Sequence, residues 1–198
     1  MKSKQLIVVG GPNGAGKTTF VEEYLRTKSI PYLGADLIAA ELNPKSPGDV
    51  AIEAGREFLR RLERHLKGDD SFIVETTLSG KSFRHSLALA SENGFLTTVH
   101  FIFNDGPDMS VARVLERVRR GGHHVPEGDV RRRYARSLAN FWNIYRPLAD
   151  QWLLTYNGEY GSTPVARGTP YTETVYDTPA RERFFKLAGI TDDDSAQP

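Results

Sequence analysis

The residues Gly11-Pro12-Asn13-Gly14-Ala15-Gly16-Lys17-Thr18 follow the pattern G-x-x-x-x-G-K-[ST], directly after the apolar run Leu6-Ile7-Val8-Val9. That context constrains the chain more than the pattern alone. A short buried strand delivers the chain to a glycine-rich turn, and a helix starts at Lys17. Glycines let consecutive backbone N–H groups curl around an anion without Cβ clashes. The first turn of the helix adds partial positive charge at the same place. Lys17 then reaches the β- and γ-phosphates of a nucleoside triphosphate, and the Thr18 hydroxyl is free to ligate Mg²⁺. Thr19 follows on the same turn. The stretch predicts a strand, a phosphate loop and a helix, with ATP and Mg²⁺ as ligands.

The rest of the chain continues the alternation. Strands are expected over 5–10, 30–33, 71–75, 95–103 and 152–156. Helices are expected over 17–28, 37–42, 82–93, 109–120 and 126–148, and from Thr178 to near Gly189. One more starts at Ser46-Pro47-Gly48-Asp49, with Ser46 as N-cap and Pro47 in the first position. It carries Val50, Ala54, Phe58, Leu62 and Leu66 at four-residue steps, a single apolar stripe. Strands alternating with helices point to an α/β fold, a parallel sheet covered on both faces. Residues 157–177, rich in Gly, Thr and Tyr, read as a hairpin or a pair of loops. Residues 1–190 form one expected domain, and 191–198 a solvated tail.

Composition narrows the chemistry. The 198-residue chain carries a net charge of +1, which makes no case for nucleic acid or a membrane surface as partner. It has no cysteine, so disulfides and thiolate chemistry are excluded and any metal must take oxygen or imidazole ligands. Nothing approaches a signal peptide or a membrane span, so the cytoplasm is the expected compartment.

Two carboxylates stand at strand ends, where open parallel sheets bind their ligands. Asp36 closes the second strand. It can take the proton of a hydroxyl that attacks the γ-phosphate, or cap the helix that follows, or both. Glu75, at the end of Ser71-Phe-Ile-Val-Glu75, can hold Mg²⁺ through water, hydrogen-bond an acceptor, or cap a turn. Thr76 beside it is a further candidate for substrate contact. Between 113 and 136 lie Arg113, Arg117, Arg119, Arg120, Arg131, Arg132, Arg133 and Arg136, flanking Gly121-Gly122. Guanidiniums suit bidentate phosphate contacts and can neutralise charge on a transferring phosphoryl group. Residues 109–148 therefore read as a helical lid with Gly121-Gly122 as hinge, with Arg117 and Arg133 touching phosphate. His123 and His124 lack metal-ligand spacing. His123 is instead a candidate for a hydrogen bond to phosphate or to the lid backbone.

Together, Gly10-Gly-Pro-Asn-Gly-Ala-Gly-Lys-Thr18, Ala35-Asp-Leu-Ile-Ala39, Glu75-Thr-Thr-Leu78 and the segment Arg113-Val…Arg117-Val-x-x-Gly-Gly-His123-x-Val-Pro126…Arg132-Arg-Tyr134 resemble the short members of the zeta toxin family of P-loop kinases. The resemblance spans roughly residues 5–140. It implies a three-layer α/β/α P-loop NTPase fold with strand order 2-3-1-4-5. It also implies transfer of the γ-phosphate of ATP to a small-molecule hydroxyl, in characterised members a sugar hydroxyl of UDP-N-acetylglucosamine. An antitoxin protein is the implied partner. Asp36 falls on the family's catalytic base and Glu75 on its substrate-contacting acid. Arg117 and Arg133 fall where related kinases carry lid and post-lid arginines, and Arg113 joins the nucleotide contacts. Members commonly carry Asn where this chain has Gly34. Two rivals share the same loop: a kinase for another hydroxyl (antibiotic, sugar or polynucleotide end), and an ATP-binding regulatory switch that phosphorylates nothing.

Overall fold

A computed structural model describes residues 3–122 and 124–190. The expectations for His123 and for the tail 191–198 lie outside them. Strand β1 (Gln5–Gly10) runs parallel between β3 (Phe72–Thr76) and β4 (Leu96–Phe103), with Leu6 opposite both Phe72 and Thr97. Strand β2 (Tyr32–Gly34) lies outside β3, with Gly34 opposite Glu75. Strand β5 (Gln151–Gly158) lies outside β4. The parallel part of the sheet is thus β2-β3-β1-β4-β5.

The sheet does not end there. Strands β6 (Gly161–Gly168) and β7 (Glu173–Val175) turn back antiparallel and extend the order to β2-β3-β1-β4-β5-β6-β7. The expected five-strand order is corrected to seven. The Gly- and Thr-rich stretch after β5 is a hairpin whose strands pair with the sheet edge instead of looping away from it.

Side chains alternate across the sheet with period two, as strand geometry requires. Leu6 and Val8 of β1 face the larger core, and Ile7 and Val9 the smaller one. Phe72 and Val74 against Ile73 in β3 do the same, as do Phe101 and Phe103 against Ile102 in β4. Helix α1 (Lys17–Leu25) covers the smaller face with Phe20, Val21 and Tyr24. Helix α2 (Ala35–Leu42) follows β2 and adds Ile38 and Ala39 to the larger core. Beside it, helix α3 (Ala51–Leu66) presents Ala54, Leu62 and Leu66, with Val50 and Phe58 half-buried along the same stripe. Helix α4 (Phe83–Glu92) contributes Leu87 and Ala90.

The expected start of α3 is corrected. A 3₁₀ turn over Pro47–Val50 intervenes, Ser46 makes no capping bond, and Val50 is the helix N-cap. Proline fixes the φ of the turn, but three residues separate it from α3 itself.

Helices α5 (Pro107–Arg119) and α6 (Glu127–Asn140) replace the expected pair around Gly121-Gly122. Helix α6 runs on through a π-helical turn, Phe141–Tyr145, into the short α7 (Arg146–Leu148). That turn brings Phe141, Trp142 and Tyr145 all into the core with Tyr134 and Leu138. Phe141 stacks on Phe101 with ring centres 4.4 Å apart. Helix α8 (Thr178–Ala188), capped by Asp177, closes the same cluster with Phe184 and Phe185. The later part of the expected 109–148 lid thus packs into the core, while Arg133 of α6 lines the same cleft as the phosphate loop. No helix among the described residues is long and apolar enough to cross a membrane.

Candidate active site

The phosphate loop leaves β1 at Gly10 and re-enters helix at Lys17. Its glycines answer to the protein beneath them. Gly11 has φ +145°, and a Cβ there would sit 2.2 Å from the Ile102 carbonyl oxygen of β4. Gly16 has φ +99°, and its Cβ would sit 2.3 Å from the Asn157 side-chain nitrogen. Side chains then lace the loop to the strand ends. Asn157 Nδ2 donates to the Ala15 carbonyl at 2.8 Å. Arg113 Nη2 donates to the Gly158 carbonyl at 2.8 Å and its Nη1 to the Gly14 carbonyl at 3.4 Å. Pro12 stays in the loop, its carbonyl taking a bond from Lys17 Nζ at 3.0 Å, and Ala15 is fully buried.

Lys17 is 7% exposed. Its burial pushes the ammonium pKa below its ordinary value, against the opposing pull of Glu75 and Asp36. Glu75 Oε1 lies 4.0 Å from Nζ. The Thr18 hydroxyl faces both Glu75 oxygens, at 3.2 and 3.0 Å. Tyr32 Oη donates to Glu75 Oε2 at 2.6 Å. A hydroxyl that donates its proton to a carboxylate keeps lone pairs for a cation, and oxygen donors of this kind suit Mg²⁺.

Asp36 sits in the first turn of α2, one residue inside the helix, and the N-cap is Gly34 in extended backbone. Asp36 therefore does not cap α2. Its Oδ2 lies 3.1 Å from Arg117 Nη1, so α2 and α5 meet across the cleft through this pair. Arg133, from α6, lies at the rim and pairs with Asp129 of its own helix at 3.6 Å.

The segment after β3 forms the facing wall. Leu78 is buried at φ +54°, a left-handed conformation costly for a branched side chain. Helix α6 holds it there. Ser137 Oγ donates to the Thr77 carbonyl, and Asn140 Nδ2 to the Leu78 carbonyl at 3.0 Å. Tyr145 Oη donates to the Gly80 carbonyl. The segment expected to move as a lid thus also fixes the wall of the site.

These elements enclose one cleft of about 560 Å³. That is ample for a nucleotide. Asn13, Gly14, Gly16, Lys17, Thr18, Thr19, Asp36, Glu75, Thr76, Arg113, Arg117 and Arg133 all line it. Gly11, Pro12 and Ala15 belong to the same loop but do not line the cleft. Sequence reasoning missed Asn157, Thr77, Phe58 and Val125 on its walls, and Tyr32 behind Glu75. Being a polar residue at the end of a strand was the one available signal for Asn157. The lining fits a triphosphate with Mg²⁺. Lys17, Arg113, Arg117 and Arg133 surround it against Asp36 and Glu75, and the buried Asn13 Oδ1 has no hydrogen-bond partner among the described residues.

A family model described as an AAA domain matches residues 6–138. An uncharacterized protein of Haemophilus influenzae is 33% identical over 124 residues, 63% of this chain and 88% of that protein. Among solved structures, a chain of the AvrRxo1-ORF1:-ORF2 complex with ATP superposes with a TM-score of 0.72 at 20% identity. The match covers 94% of this chain but only 64% of that one. A chain from the PezAT chromosomal toxin-antitoxin system of Streptococcus pneumoniae gives a TM-score of 0.65 at 15% identity, over 98% of this chain and 82% of that one. At these identities the structures speak for a common fold.

Proposed function

The chain belongs to the AAA domain family, and from that premise we propose that it is an ATP-dependent kinase acting on a small-molecule hydroxyl. The observation that carries this reading is the placement of Asp36 opposite the phosphate loop, in one cleft with Lys17 and Thr18 and 3.1 Å from Arg117. A nucleotide-dependent switch has no use for a carboxylate on the acceptor side. A kinase needs one.

In this mechanism the loop N–H groups and Lys17 bind the β- and γ-phosphates. Mg²⁺, held by the Thr18 hydroxyl with Glu75 behind it, would neutralise charge on the phosphate oxygens. Of the roles open to Glu75, its hydrogen bond to Thr18 favours the metal side over direct contact with the acceptor. Asp36 takes the proton of the acceptor hydroxyl as its oxygen bonds to the γ-phosphorus. The bond from that phosphorus to the β–γ bridging oxygen breaks, ADP leaves, and the proton passes from Asp36 to solvent. Arg117 and Arg133 neutralise charge on the transferring group. Arg113, bonded to the Gly14 and Gly158 carbonyls, serves more as a brace of the loop than as a phosphate ligand.

For the acceptor we infer the nucleotide-sugar UDP-N-acetylglucosamine from the zeta toxin resemblance, with an antitoxin as protein partner. The PezAT system, a toxin-antitoxin pair by its own description, and the two-component AvrRxo1 complex support that partner class. The test is to incubate protein and Mg·ATP with UDP-N-acetylglucosamine, and separately with a metabolite extract, and follow products by mass spectrometry. A phosphorylated product that disappears with Asp36→Asn supports the kinase. ATP binding with no product from either source supports the switch.

A further inference from the structure

Tyr32 was invisible as a functional residue in the sequence, yet its side chain reaches the centre of the site. Tyr32 and Gly34 are two apart on β2 and so point to the same side of the strand. Gly34 is the register partner of Glu75, and Tyr32 that of Ile73. The Tyr32 ring therefore crosses Gly34 to reach Glu75 on the neighbouring strand. A Cβ on Gly34 would lie 2.8 Å from the Tyr32 oxygen and 3.2 Å from the ring carbon that bears it. The missing side chain at 34 is the space the phenol occupies. At its end, Tyr32 Oη donates to Glu75 Oε2 at 2.6 Å, the same oxygen that receives the Thr18 hydroxyl at 3.0 Å.

We propose that Tyr32 is a positioning residue for the cation of the bound nucleotide: lying across Gly34, it fixes the Glu75 carboxylate so that Glu75 in turn aims the Thr18 hydroxyl. This rests on the kinase reading above insofar as Thr18 and Glu75 serve Mg²⁺. A carboxylate with one oxygen anchored by a phenol has lost its rotation. Its remaining lone pairs face Thr18 and Lys17. Outer partners of metal-site residues typically change metal affinity by about 10- to 100-fold when removed.

The test measures ATP binding by calorimetry in EDTA and across a Mg²⁺ titration, with no turnover required. Tyr32→Phe removes one oxygen and keeps the ring. It should leave ATP affinity in EDTA unchanged and raise the Mg²⁺ concentration for half-maximal effect by about tenfold. Gly34→Ala should shift it the same way by displacing the phenol. Added to Tyr32→Phe, it should shift it little further. If wild type shows a Mg²⁺ effect and Tyr32→Phe shows the same one, the role of Tyr32 is overturned while the kinase reading stands. If wild type binds ATP with no Mg²⁺ effect, or does not bind it, both fall. A loss of affinity in EDTA equal to that in Mg²⁺ would make Tyr32 a structural prop and would also overturn the proposal.

Discussion

Asp36 Oδ2 and Arg117 Nη1 lie 3.1 Å apart, joining the helix after β2 to the helix after β4. Each group neutralises the other in the free protein. In the kinase proposed above, charge building on the transferring phosphoryl group would draw Arg117 away from Asp36 and leave the carboxylate to act as base. Both side chains are substantially exposed, so the pair is screened and readily exchanged.

Asp36→Asn should leave a folded protein that still binds ATP, because the loop and Lys17 are untouched. Phosphoryl transfer should fall by about 10²–10⁴, the usual worth of a positioned general base. Calorimetry with Mg·ATP and a transfer assay read the two effects separately. Wild-type turnover would move the search for the base to Glu75.

Arg117→Ala and Arg133→Ala should each lower kcat by about 10² or more with little change in KM for ATP, since the charge they meet is largest in the transition state. Steady-state kinetics at saturating acceptor decides it. Variants altered only in KM would be missing ground-state contacts, and the assigned roles would fail.

Lys17→Ala should remove nucleotide-dependent stabilisation while keeping the fold. The ammonium is buried at a cost; it donates to the Pro12 carbonyl and lies 4.0 Å from Glu75. Melting with and without Mg·ATP reads both. A variant that still gains stability from ATP would contradict the role of the loop.

His100, on β4, has its pKa pushed down to about 4 by burial. Its Nε2 lies 2.7 Å from Thr155 Oγ1, and its ring meets Phe20 edge to face. The unfolded chain takes up a proton near pH 6.5 and the folded one only near pH 4, so ν_U exceeds ν_N between them. Stability should rise with pH across that window, by roughly 3 kcal/mol, and be flat in this contribution above it. Urea unfolding from pH 4 to 7 should give a shallower slope in His100→Gln. An equal slope would place His100 in contact with water.

Much of this was legible where the signal is local. Lys17 and Thr18 declare themselves because a strand, a glycine turn and a helix occupy consecutive residues. Asp36 and Glu75 follow from standing at strand ends. The α3 stripe from Val50 to Leu66 buried as its spacing requires. What could not be read depends on partners distant in the chain. Asn157 meets the loop across 142 residues, and Tyr32 meets Glu75 across 43. The packing of α6 was hidden for a different reason. The arginines of α6 dominate its sequence, but Tyr134, Leu138, Phe141 and Trp142 decide where it sits, and a π-helical turn is needed to bury the last of them together. Ser46 has the residues of a cap, but the proline after it starts a 3₁₀ turn instead.

Gly11 and Gly16 leave no room for a side chain against Ile102 and Asn157, so the phosphate loop packs directly on the strand ends as the chain folds. The ordering entropy of that backbone is charged to folding and leaves the ligand's affinity undiminished. The same rigidity has a second side. A loop seated on strand ends cannot record whether a nucleotide is present. In the proposed kinase, the movable Asp36–Arg117 pair is the contact that would carry occupancy from donor to acceptor.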